Sequence, residues 1–123
     1  MLFVSRTVVA LLVVAVFVNP ASAHHGWSAQ ENQVTDLTGT VTRDVSLAGP
    51  HGTMQIRVGN AVWDVTLAPP ARTAAAGLKP GVIPVGATVT VRGNKSTEPG
   101  HNEMKTILVI HGQQRYAVYP KRQ

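Results

Sequence analysis

TMQIRVGNAVWDVTLAPPARTAAAGL, residues 53–78, changes its periodicity once. Met54, Ile56 and Val58 alternate with Gln55 and Arg57, the two-residue period of a strand with one buried face. Gly59-Asn60 is a turn dipeptide. Trp63, Val65 and Leu67 then repeat the alternation with an inward face. Residues 53–58 and 61–67 therefore read as a hairpin. At Pro69-Pro70 the period of two stops. Proline suits the first turn of a helix, the following alanines extend it, and Gly77 stands where a helix ends. One short helix is predicted within residues 69–78.

Both flanks read as strands. Residues 37–42 (LTGTVT) are rich in β-branched residues. Residues 87–92 (ATVTVR) alternate, with Ala87, Val89 and Val91 inward. Residues 105–110 (KTILVI) are a nearly unbroken apolar run, which predicts a strand covered on both sides. Residues 114–119 (QRYAVY) add a small sixth strand. Three strands, a helix and two strands is the order of the OB barrel, in which the helix plugs one end. The expected fold is thus all-β with one short helix: a small five- to six-stranded OB-like Greek-key barrel. A small open β-sandwich is the alternative, and the lone mid-chain helix favours the barrel.

The amino terminus reads as a secretory signal. Arg6 supplies the charged start, residues 7–18 (TVVALLVVAVFV) the apolar core, and Ala21-Ser22-Ala23 a cleavage site. The apolar run falls short of the ~20 residues that cross a bilayer. The expected organisation is a signal peptide over 1–23, an N-terminal segment over 24–36, one barrel domain over 37–120 and a basic tail over 121–123. The expected location is periplasmic or secreted, with no transmembrane span after processing and a monomeric state. Cysteine is absent, which removes thiol catalysis, disulfide staples and cysteine-based zinc sites. A closed barrel can do without staples because it has no exposed sheet edge.

The formal net charge is +5 with His neutral. Its cations are scattered, and only Lys121 and Arg122 are adjacent, which reads as a solvated basic surface. Export removes most nucleic acid from reach, so nucleic acid is not the expected partner.

Cleavage after Ala23 would create the terminus His24-His25-Gly26-Trp27. A free α-amine beside an imidazole chelates copper(II) or nickel(II), which favour tetragonal nitrogen ligands. His51 lies in the first loop (AGPHG, 48–52) and His101 in the fourth-to-fifth strand loop (EPGHN, 98–102). In OB barrels those loops share one face. The expected metal ligands are therefore His24, His25, His51 and His101, with Glu98 and Glu103 as flanking acids. Loops that merely turn, with exposed histidines beside them, are the competing reading. His111 reads as a turn residue, Met54 as core, and Trp27 as a cap on the barrel end or a metal shield. Met104, ahead of a strand, stays open between core and soft ligand.

No catalytic constellation is recognised, so an enzyme is not expected. Ser28, Ser46 and Ser96 lie in no nucleophile elbow, Asp44 and Asp64 stand alone, and phosphate-cradling glycine motifs are missing. The expected function is a small exported binding protein that holds copper(II) through the processed His24 terminus. The alternative is a non-metal OB-like module for an envelope oligosaccharide, peptide or protein, with no cofactor.

Several of these motifs occur together in one family. His24-His25-Gly26-Trp27, LTGTV at 37–41, Gly49-Pro50-His51, Trp63, Gly77-Leu78-Lys79-Pro80-Gly81 and Val89-Thr90-Val91-Arg92-Gly93 follow one another across the whole mature chain. In this the chain resembles a family of small secreted bacterial proteins, domain of unknown function 6152. Two departures stand out: Gly49 where the family usually has Asn, and the inserted Val82-Ile83-Pro84. The resemblance implies an exported small β-barrel and implies no activity.

Overall fold

The first strand is long because it serves two neighbours. In the computed structural model, which describes residues 27–122, β1 spans Thr35–Ser46. The signal region, His24 and His25 lie outside the described residues. The first half of β1 pairs antiparallel with β4 (Thr88–Lys95), from Thr35 opposite Gly93 to Thr40 opposite Thr88. Its second half pairs with β2 (Thr53–Val58), from Thr40 opposite Arg57 to Ser46 opposite Thr53. Register breaks fall between Val41 and Arg43 and between Arg43 and Ser46. Such breaks bend a strand and let it turn a barrel corner. They also carry the strand four residues past the sequence reading of 37–42.

β2 and β3 (Ala61–Thr66) form the expected hairpin, in continuous register from Thr53 opposite Thr66 to Val58 opposite Ala61. Gly59 takes φ +58° in the turn, a conformation that only a residue without Cβ adopts freely. The sheet then closes. β3 pairs parallel with β5 (Glu103–His111) through Asp64–Glu103, Val65–Met104 and Thr66–Lys105, and β5 pairs antiparallel with β4. The closed ring is β1-β2-β3-β5-β4, with β6 (Gln114–Ala117) added to β5. This is the OB-like barrel, and the β3–β5 pairing is what an open sandwich lacks.

β5 changes partner along one edge. It meets β3 at Glu103–Lys105 and β6 from Leu108 onward. Between them the carbonyl of Ile107 accepts from the backbone N–H of Val118 at 3.0 Å and of Tyr119 at 3.2 Å. The sixth strand therefore stops at Ala117 instead of reaching 119. The chain after it is tied across the barrel and ends in a 3-10 turn, Pro120–Arg122.

The helix α1 is Pro70–Ala75, shorter than the sequence window. Its Pro at N1 lacks a donor that the first turn would leave unpaired. Its end is a Schellman motif: Leu78 N–H donates to Thr73 O at 3.2 Å, Gly77 N–H donates to Ala74 O at 2.9 Å, and Gly77 sits at φ +91°. Thr73 is fully buried and its hydroxyl donates to Ala68 O at 2.7 Å. The core takes Val41, Ile56, Val65, Val89, Val91 and Met104 from the barrel and Leu78 from below the helix. Ile83, from the inserted segment, is also fully buried there. Met54 and Met104 are core residues. Among the described residues no helix is long and apolar enough to cross a membrane.

Candidate functional site

Of the two loops named from the sequence, one is held by β3 and the other by the residues just past its end. Beside His51, Gly52 donates its N–H to Ala68 O at 2.8 Å and accepts from Leu67 N–H at 2.7 Å. Beside His101, Asn102 O accepts from Asp64 N–H at 2.9 Å. Asp64 and Leu67 are three residues apart, so the loop anchors are separated by roughly 10 Å along the chain. His101 is already engaged: its Nε2 lies 2.6 Å from Glu103 Oε2. His51 is half-buried at the loop tip, and His111 is half-buried at the end of β5. Among the described residues, no group of three or more His, Cys, Asp or Glu side chains is placed to hold a metal ion.

The Glu103 carboxylate raises the His101 pKa above its ordinary 6.5, chiefly through the hydrogen bond; desolvation, the next largest effect, opposes it, and the charges of Glu103, Glu98 and Asp64 add smaller help. The folded protein thus holds that proton more tightly than the unfolded chain does. The pair's stabilising contribution is complete below the ordinary imidazole pKa and fades as pH rises through the raised value. We expect an NMR titration to place the His101 ring above the ordinary histidine range, and Glu103→Gln to bring it back. An unshifted ring in the unaltered protein would remove Glu103 as its partner.

A second cluster is absent from the sequence reading. Trp27 meets Tyr119 edge to face, with centroids 5.3 Å apart at 75°. The Arg122 guanidinium carbon stands 4.0 Å from the Trp27 centroid and Lys105 Nζ 4.5 Å from it. Arg72 of α1 lies 5.5 Å from the Tyr119 centroid. These are cation–π distances. Lys105 is 7% exposed, and burial together with the Arg122 charge pushes its pKa down. Burial pushes the Tyr119 phenol up, so it remains a neutral donor at ordinary pH. Beside the cluster a cleft of about 510 Å³ opens between α1 and the C-terminal segment. The five residues of the cation–aromatic cluster are Trp27, Arg72, Lys105, Tyr119 and Arg122. The available sequence signals were Lys105 at the head of an apolar run and the Lys121-Arg122 pair.

The closed five-strand barrel, the added sixth strand and the lone short helix after β3 define a small OB-like barrel protein. The chain belongs to DUF6152, a family of unknown function whose model matches residues 10–105. No curated protein matches it. Among solved structures it is similar to the ZRD-deleted mutant of TiaS in complex with agmatine, with TM-score 0.53 and 14% identity. That match covers 74% of this chain and 27% of the other, so this chain spans about a quarter of that protein. At such identity the likeness is one of fold.

Proposed function

We propose that the protein is exported to the periplasm or beyond, is cleaved after Ala23, and uses its barrel to present an amino-terminal copper(II) chelate. The His24 amine and ring would form the chelate, with His25 or His51 adding nitrogen and His101 in reserve. The observation that carries this reading is the anchoring of Trp27. Its ring is held by Tyr119, Lys105 and Arg122. The next residues are stitched down as well: Gln30 bridges to Ser96, and Glu31 N–H donates to Lys95 O at 2.7 Å. Three residues of chain reach about 11 Å at most, so a terminus at His24 would start close to a fixed point on the barrel. A terminus leashed in this way pays less ordering entropy on binding than a long free tail.

Of the loop histidines, His51 fits this role better, because the His101 Nε2 is taken by Glu103. When bound, copper(II) would supply a charged centre for tetragonal nitrogen ligation. No catalytic role is assigned to it.

Intact-mass measurement on protein from the envelope fraction is expected to show a chain beginning at His24. One alanine inserted before His24 moves the amine away from that ring while sparing every side chain. We expect this insertion to lower copper(II) affinity by at least about tenfold. Affinity should also weaken as imidazoles protonate near pH ~6.5. Equal affinity for the two forms would eliminate the chelate. Loss on His51→Ala or His101→Ala alone would move the site to the loops.

A further inference from the structure

The cleft between α1 and the C-terminal segment gathers cations that the protein's acids avoid. Arg72, Lys121 and Arg122 line it together with Tyr119, and among the described residues no carboxylate does. Four of the six acidic side chains are occupied elsewhere: Asp36 with Arg92, Glu103 with His101, Asp64 with Gln55, Asp44 with the Gly81 N–H. Among the described residues no carboxylate lies within ion-pair distance of Arg72, Lys121 or Arg122. Outside the cleft, burial and then the Arg122 charge disfavour the charge on the nearby Lys105. An anion would offset the second of these.

The remaining wall is apolar. Ala75 at the end of α1, Ala76 just after it and Ala117 of β6 line it. A bare polyanion would leave that wall unused. A concave volume of this size lies within the ~300–1,000 Å³ of small-ligand pockets.

We propose that this cleft binds a small organic anion, a single phosphate or carboxylate group on an apolar body. The charged group is held by Arg72, Lys121 and Arg122, and the apolar body lies against Tyr119 and the alanine wall. Arg72 and Arg122 can each present two parallel N–H donors to such a group. A freely diffusing anion suits the site better than a lipid surface. Trp27 and Tyr119 are half-buried and packed edge to face rather than left free to enter a bilayer. The proposal stands independently of the amino-terminal copper reading.

The test is calorimetric titration of the protein as isolated from cells with phenyl phosphate, inorganic phosphate and benzyl alcohol. Phenyl phosphate should bind at least about tenfold more tightly than inorganic phosphate, and less tightly as salt is raised. Benzyl alcohol should give no measurable binding. Arg72 is exposed, so Arg72→Glu should leave the unfolding temperature nearly unchanged while weakening phenyl phosphate by about tenfold or more. Arg72→Lys should recover part of that loss, and Lys121→Glu should weaken binding in the same direction. Equal binding of the two phosphates would reduce the cleft to a basic surface. Binding of benzyl alcohol as strong as that of phenyl phosphate would make it an apolar groove. Undiminished binding by both charge-reversed variants would place the site elsewhere. Sedimentation with phosphatidylglycerol vesicles, without phenyl phosphate binding, would replace the free anion with a lipid surface.

Discussion

Gly93→Ala is expected to destabilise the barrel by about 3 kcal/mol, the upper end of what overpacking costs. A Cβ at this position would collide with the carbonyl oxygen of Lys105 and come within 2.9 Å of its carbonyl carbon and of Thr106 Cα. All three are backbone atoms of β5, so no side chain can swing aside. The site is also where the β4–β5 register breaks, between Arg92 and Gly93. Relief would require β4 and β5 to separate along their shared antiparallel ladder. Gly39→Ala should act in the same way and by a similar amount, because its Cβ would strike the Arg57 carbonyl of β2. Gly49→Ala is the control: the nearest atom would be His51 O at 3.6 Å, an ordinary contact. For a domain of this size, about 3 kcal/mol lowers the unfolding temperature by roughly 15 °C. Urea denaturation of the three variants checks the order. A Gly93→Ala protein as stable as Gly49→Ala would mean that the strands are less closely apposed than the structure has them.

The same backbone approach explains what could and could not be read from the residues. Met54, Ile56 and Val58, then Val65 and Leu67, alternate because β2 and β3 pair without interruption. Their hairpin is therefore visible in the sequence. The far half of β1 is not, because two register breaks disturb the period: Val41 and Val45 are both buried, yet the residues between them do not alternate as a regular strand would. The helix was legible through Pro70 and Gly77. Its length was not, because the Schellman turn draws Ala76, Gly77 and Leu78 out of the helix while keeping them hydrogen-bonded to it.

The loop histidines show a subtler limit. Topology brings both loops near β3, but only the hydrogen bonds say that one is anchored on it at Asp64 and the other just past its end at Leu67 and Ala68. The cation–aromatic cluster had no local signature. Trp27, Arg72, Lys105, Tyr119 and Arg122 are dispersed along the chain, so their charges read as scattered. They meet because Ile107 O ties down Val118 and Tyr119 while the parallel β3–β5 pairing fixes Lys105. Non-local assembly of this kind leaves no periodicity to detect.

Leu78→Ala is expected to cost about 3 kcal/mol, within the range for emptying a fully buried leucine site. The reason it matters goes beyond the cavity. α1 has six residues, too few to be stable as an isolated helix. It keeps its place through Thr73, which donates to Ala68 O, and through Leu78, the residue just past the Schellman turn that enters the core. Arg72 rides on this helix, so the same buried side chain that holds the helix also sets Arg72 against Tyr119. Gly77→Ala separates the two effects. A Cβ there would meet Tyr116 only at 3.7 Å, so its cost is the positive φ alone, roughly 1–2 kcal/mol. Leu78→Ala should therefore unfold earlier than Gly77→Ala in urea. It should also reduce the near-ultraviolet circular dichroism of the Trp27–Tyr119 pair, which Gly77→Ala should largely retain. If the two variants unfold together, the helix is held by its backbone turn, and the buried leucine is not what fixes the position of Arg72.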